Sequence, residues 1–124
     1  MEKITNAQTA ALTGWVNCST YFAVADNCIV GTIQIRHTLN DFLLNFGGHI
    51  GYSIRPSERR KGYGTRMLAL ALNKCRGLGL DKVLITCNDK NEASAKTIVK
   101  NGGVLEDKRI ERDGGIVRRY WIVL

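Results

Sequence analysis

The run Val83-Leu84-Ile85-Thr86-Cys87 constrains the fold of this chain more than any other feature. It is a short, nearly continuous apolar stretch rich in β-branched residues, with no polar alternation. Such a run reads as a strand covered on both faces. It lies between two segments of helical periodicity. Met67, Leu68, Ala71, Leu72 and Cys75 recur at helical spacing over about 65–76, and Ala95, Ile98 and Val99 do the same after Asn91. A buried strand flanked by helices predicts an α/β domain with a mixed sheet.

The remaining elements follow from local chemistry. Residues 4–14 are small, polar and weakly helical. Thr20 to Ala25 reads as a strand, turned by Asp26-Asn27 into a second strand from Cys28 to Arg36. Leu39 to Phe46 is ambiguous and fits a helical turn. Gly48 to Arg55 is a third strand, stopped by Pro56. Gly77 and Gly79 end the first helix; Asn91 caps the start of the second, and Gly102-Gly103 close it. Val104 to Glu111 and Ile116 to Leu124 flank Asp113-Gly114-Gly115 as a hairpin.

Size and composition bound the function classes. The 124 residues, 44% apolar and 23% charged, form one domain over 1–124, with no linker, repeat or low-complexity stretch. No apolar run is long enough to cross a membrane. Met1 to Trp15 lack a basic region followed by an apolar one, so no cleaved signal peptide is expected. Cys18, Cys28, Cys75 and Cys87 are far apart and form no C-x-x-C pair, and His37 and His49 have no ligand-spaced companions. Free structural cysteines, a reducing cytoplasmic setting and no metal are therefore expected.

The net charge is +7, and residues 55–82 carry eight of the eighteen Lys and Arg against only Glu58 and Asp81. A single concentrated patch favours a local anion site over a long phosphate-tracking groove, and it lacks the aromatic interleaving of single-strand nucleic-acid binders. At its centre stands Arg59-Arg60-Lys61-Gly62-Tyr63-Gly64-Thr65, between strand and helix. A helix start offers free N–H groups and the positive end of its dipole, and glycines let a ligand approach the backbone. The loop thus fits a pyrophosphate cradle. It is not a P-loop, because G-x-x-x-x-G-K-[ST] is absent. Nor is it a dinucleotide fingerprint, because Met67 stands where the third glycine belongs. On local chemistry alone, a solvated basic loop remains the alternative.

The spacing Arg59-x-x-Gly62-x-Gly64 resembles the Q/R-x-x-G-x-G/A signature of the GNAT superfamily of N-acetyltransferases. The likeness extends over about residues 20–124. It takes in Ile54-Arg55-Pro56, the strand Val83 to Cys87, and Asn91-Glu92-Ala93-Ser94 ahead of Lys100-Asn101-Gly102-Gly103. The resemblance implies a mostly antiparallel twisted sheet, splayed at a coenzyme site and flanked by helices: the GNAT-like acyl-CoA N-acyltransferase fold, short at its N-terminus. It also implies acetyl-coenzyme A as co-substrate. Arg59, Arg60, Lys61, Gly62, Tyr63, Gly64 and Thr65 would hold the pyrophosphate, and the strand ending near Ile54 would bond the pantetheine arm between strands 48–55 and 83–87. Asn91 and Ser94 match a second coenzyme-contacting element, with helix capping as their alternative reading.

The implied reaction is direct acetyl transfer to an amine of a small molecule or peptide. It needs a neutral amine, donors for the oxyanion and a proton for the departing thiolate. His49 is the best titratable candidate for the base, with a structural histidine as the alternative. Many relatives carry a tyrosine acid where this chain has Ile98, so the acid is unassigned. Relatives also begin with a strand and two helices, whereas about 19 residues precede Thr20 here, enough for one short helix. The acceptor side is then open or completed by another subunit. The apolar end Tyr120-Trp121-Ile122-Val123-Leu124 suits either a core strand or a homodimer contact. A non-catalytic coenzyme-binding module is the main rival, and a nucleic-acid-binding protein a weaker one.

Overall fold

The computed structural model describes the backbone of residues 3–7 and all of residues 17–124. Among the described residues, seven strands form one sheet in the order β1-β2-β3-β4-β5-β7-β6. They are β1 (Lys3–Ala7), β2 (Cys18–Ala25), β3 (Cys28–Arg36), β4 (Ile50–Ile54), β5 (Lys82–Asn88), β6 (Val104–Ile110) and β7 (Ile116–Val123). The helices α1 (Tyr63–Gly77) and α2 (Glu92–Lys100) flank β5 in sequence. All neighbouring strands are antiparallel except β4 and β5.

β5 is central and buried on both sides, as its composition requires. Val83, Ile85 and Cys87 join the core under α1 and α2, with Met67, Leu68, Ala71, Ala95 and Ile98. Leu84, of opposite parity, is buried on the other face. There a turn of π-helix at Leu43–Gly47 lies against β5 and β7. Side chains hold it: Thr86 Oγ1 donates to the Phe46 carbonyl at 2.6 Å, and Arg119 Nε to the Leu44 carbonyl at 3.0 Å. Arg119 is 2% exposed and is matched by Glu106 and Asp107.

Asp26 and Asn27 both adopt positive φ (51° and 62°), which makes the β2–β3 connection a tight two-residue turn whose twist matches the strands. The third expected strand is narrower than 48–55, because Gly48 and His49 are spent on a junction described below.

Two expectations need correction. Residues 4–7, read as weakly helical, belong to β1, paired from Lys3↔Val24 to Ala7↔Thr20; the ladder offered by β2 outweighs a weak local preference. The rest of that stretch, 8–14, lies outside the described residues. Val99, expected on the buried side of α2, is 55% exposed, because Ala95 and Ile98 face the sheet. Of the two readings of the chain's apolar end, Tyr120 and Ile122 of β7 take the core one, while β6 is the sheet edge.

Candidate active site

The parallel strands β4 and β5 meet at one register pair, Ile50↔Ile85. Just before it, the backbone closes tightly. Gly48 has φ +71°, and a Cβ there would lie 2.5 Å from the Leu84 carbonyl oxygen. Next to it, His49 N donates to that same carbonyl at 2.7 Å, and Leu84 N donates to His49 Nδ1 at 2.9 Å. Past Ile50 the strands separate: β4 stays with β3 through Ile54, and β5 stays with β7 through Asn88. Antiparallel partners on the outer flanks pull the pair apart, and the junction acts as the vertex of a wedge.

A cleft of about 820 Å³ opens below this vertex. One wall is Tyr52, Ser53 and Ile54 of β4; another is Asn91, Ser94, Thr97 and neighbours on α2. Its far end is the loop before α1. Arg60 (φ 65°) and Gly62 (φ 80°) bend the chain so that α1 begins at Tyr63 with no side-chain cap and no acid in its first turn. The first-turn N–H groups therefore have neither an internal partner nor a capping side chain, and the helix dipole there favours an anion. Gly64 packs toward Thr97 with room for a Cβ at 3.8 Å. Asn101 Nδ2 donates to the carbonyls of Thr65 and Thr97, each at 3.1 Å, so the end of α2 is tied to the start of α1.

Of the residues expected to hold coenzyme, Ile54, Arg59, Arg60, Gly62, Tyr63, Gly64, Thr65, Asn91 and Ser94 all line this cleft. Lys61 does not; its ammonium pairs with Glu58 at 2.7 Å on the surface. That hydrogen bond and the charge of Glu58 raise the Lys61 pKa. Arg59 Nε donates to the Ile54 carbonyl at 3.0 Å, leaving that oxygen its second lone pair. Asn91 does cap α2, with Oδ1 accepting from Ser94 N at 3.1 Å. Ser94 Oγ is free of the cap and lies 2.8 Å from the Tyr52 hydroxyl.

His49 stands apart from the cleft wall. It is 6% exposed, edge-on to Trp121, on the face opposite the helices. Burial lowers its pKa. Because Leu84 N–H is a donor, Nδ1 is the acceptor and the neutral ring carries its proton on Nε2. The lone pair a general base would use is already engaged.

Sequence reasoning passed over Lys96, Thr97 and Lys100, which also line the cleft. Their signal was present: with Ala93 they recur at helical spacing along α2. Arg59, Arg60, Lys96 and Lys100 face Glu58 alone among the acids of the lining, so the cleft is strongly cationic. Burial raises the Cys87 thiol, which marks it as core rather than nucleophile. Among the described residues no His, Cys, Asp or Glu cluster could hold a metal, and no helix is long and apolar enough to cross a membrane.

A sheet split between two parallel strands, leading to a cationic, glycine-bent helix start, has the shape and charge to suit an extended ligand with an anionic end. The family profile described as acetyltransferase (GNAT) domain matches residues 2–104. The chain belongs to this GNAT acetyltransferase domain family. Solved structures with the same fold include a spermidine N-acetyltransferase from Vibrio cholerae, at TM-score 0.69 and 16% identity over 86% of this chain and 65% of that one. The ribosomal-protein-S5-alanine acetyltransferase from Vibrio fischeri gives TM-score 0.71 at 21% identity over 86% of this chain and 61% of that one. RimL, a ribosomal L7/L12 α-N-protein acetyltransferase solved in complex with coenzyme A, gives 0.70 at 19% identity, covering 86% and 62%. The chain thus spans under two thirds of the length of these three proteins. A search of curated proteins finds no match.

Proposed function

We propose that this chain transfers an acetyl group from acetyl-coenzyme A directly to an amine of a small molecule or peptide. The observation that carries the reading is the cleft between β4 and β5, open along Tyr52–Ile54 and ending on the first turn of α1. The residues fit the co-substrate: Arg59, Arg60, Gly62, Tyr63, Gly64 and Thr65 take the pyrophosphate, and free backbone groups of β4 near Ile54 take the pantetheine arm as a strand takes a partner. Ser94 contacts the arm from α2, and Asn91 shapes that helix start.

His49 serves this site as a strut rather than a base. Its Nδ1 bond to Leu84 keeps the vertex closed, so the amine sheds its proton to solvent. The four cysteines are all unpaired, in keeping with a reducing cytoplasm. Exposed Val104, Ile110 and Val123 on the outer hairpin give a homodimer an apolar edge.

A coenzyme-binding module without turnover is the reading that Ile98 favours, since that fully buried residue cannot protonate a thiolate. Thermal shift with coenzyme A, followed by thiol release from acetyl-coenzyme A over a panel of polyamines, aminoglycosides, amino acids and peptides, separates the two. Acetyl transfer predicts stabilisation and release with at least one amine. Stabilisation with no release anywhere favours the module, and no stabilisation removes the coenzyme reading.

A further inference from the structure

We propose that the hydroxyl of Tyr52, held by Ser94, is the proton donor to the departing coenzyme A thiolate; this rests on the acetyl-coenzyme A reading. Direct transfer leaves a thiolate that must be protonated, and the position four residues after Ser94 is the apolar, fully buried Ile98. The cleft holds its own candidate. Tyr52 lies two residues from the vertex pair Ile50↔Ile85, on the stretch of β4 that has left β5. Its ring packs against the core while its hydroxyl reaches across the cleft to Ser94 Oγ at 2.8 Å.

The other tyrosines are placed elsewhere. Tyr63 stands at the helix start, beside the phosphate end, and Tyr120 and Tyr21 are core residues. With the phosphates of an extended ligand at residues 60–65 and its arm running along β4, the thioester lies toward the vertex, where Tyr52 is. The donor hydroxyl lies toward α2, where Ser94 and Thr97 sit, and Cys87 of β5 is its titratable neighbour. Lys96 and Lys100 are the cations of the α2 wall.

The step balances as follows. The neutral amine adds to the carbonyl carbon, and the carbonyl re-forms as the C–S bond breaks with its electron pair passing to sulfur. The Tyr52 O–H proton moves to that sulfur and gives the free thiol. The phenolate regains a proton from solvent through the Ser94 hydroxyl, while the new amide nitrogen sheds its extra proton to water. Burial raises the Tyr52 pKa, so the hydroxyl stays protonated through neutral and mildly basic pH.

The test is an ultraviolet thiolate titration of coenzyme A bound to the protein, which requires no knowledge of the acceptor. A hydroxyl donating to sulfur stabilises the thiolate, so wild type lowers the bound thiol pKa and Tyr52→Phe raises it again by about one unit. Coenzyme affinity changes less than threefold. With any accepted amine, kcat falls about 100-fold while KM for acetyl-coenzyme A is held. Ser94→Ala, which keeps the Tyr52 hydroxyl but removes its holder, gives a smaller shift and carries the test should the phenylalanine variant not fold. Coenzyme A that binds wild type and Tyr52→Phe with the same thiol pKa overturns the Tyr52 assignment and leaves the coenzyme reading standing. Failure of wild type to bind coenzyme A overturns both.

Discussion

The N–H of Leu84 donates to Nδ1 of His49 at 2.9 Å, across a separation of 35 residues, while the N–H of His49 donates back to the carbonyl of Leu84. This reciprocal pair joins β4 to β5 where they begin to diverge, and the width of the cleft is set from it. Removing the ring leaves a buried donor unsatisfied and a hole beside Trp121. His49→Ala therefore loses about 2–4 kcal/mol of folding stability by urea unfolding. Its affinity for coenzyme A falls as well. A variant with full stability and affinity but a shifted pH–rate profile would return His49 to the role of base.

The same bond predicts an acid sensitivity. Burial depresses the His49 pKa below 6.5, so the unfolded chain binds the proton first as pH falls. Its stabilising contribution is complete above pH 6.5 and is lost as pH drops through that value toward the folded-state pKa. The slope is at most about 1.4 kcal/mol per pH unit for one proton. Asp89 and Asp107, held below the usual carboxylate range by hydrogen bonds from Lys108 and Arg118 and from Arg119 and Arg109, act only at lower pH, below about 3.8. Denaturant midpoints measured between pH 7.5 and 5 should fall for wild type and stay nearly level for His49→Ala.

Gly48 is the second member of the vertex. Both its φ of +71° and the 2.5 Å approach of a Cβ to the Leu84 oxygen forbid a side chain, and the obstacle is backbone that cannot rotate away. Gly48→Ala is expected to lose more than about 2 kcal/mol and to weaken coenzyme binding through a displaced β4. Wild-type stability in this variant would show that the junction gives way easily.

The two glycines of the loop separate conformation from space. Gly62 has nothing within 4 Å of a Cβ but a φ of +80°, so Gly62→Ala loses about 1–2 kcal/mol through backbone strain alone. Gly64 has ordinary φ and a 3.8 Å clearance to Thr97, so Gly64→Ala should stay within about 0.5 kcal/mol of wild type. Parallel thermal melts of the two variants check the contrast; equal losses would contradict it.

Lys96 and Lys100 extend the cationic wall along α2. Neutralising either should weaken coenzyme A by roughly three- to tenfold, with the loss shrinking in added salt because the contact is partly exposed. Lys61→Ala, which removes a cation that stands outside the cleft lining and is already matched by Glu58, should have the smallest effect of the basic loop. Isothermal titration at two salt concentrations decides this, and an equal loss at Lys61 would mean that the ligand breaks the Glu58 pair.

Much of the architecture could be read from local pattern. β3 runs from Cys28 to Arg36 as its β-branched content indicates, and Asp26-Asn27 make the turn that two residues tolerant of positive φ allow. α1 follows from the spacing of Met67, Leu68, Ala71 and Leu72, and α2 from its Asn91 cap. The basic glycine loop carries its own chemistry in seven consecutive residues. Val99 was misjudged because three apolar positions fit the helical period, while only the sheet decides how wide a stripe is covered.

The helices, the turns and the basic glycine loop were determined by the sequence alone, because periodicity, capping and glycine freedom act over a few residues. The tertiary structure decided what joins distant segments. It drew residues 3–7 into an edge strand, placed β7 between β5 and β6, and spread β4 from β5 at Ile50. It also turned His49 inward to Leu84 and set the Tyr52 hydroxyl against Ser94, 42 residues away. A histidine or tyrosine reads alike in sequence whether its polar atoms meet a backbone donor, a partner hydroxyl or a substrate. Which of these it meets is fixed only when the sheet and helices close around it.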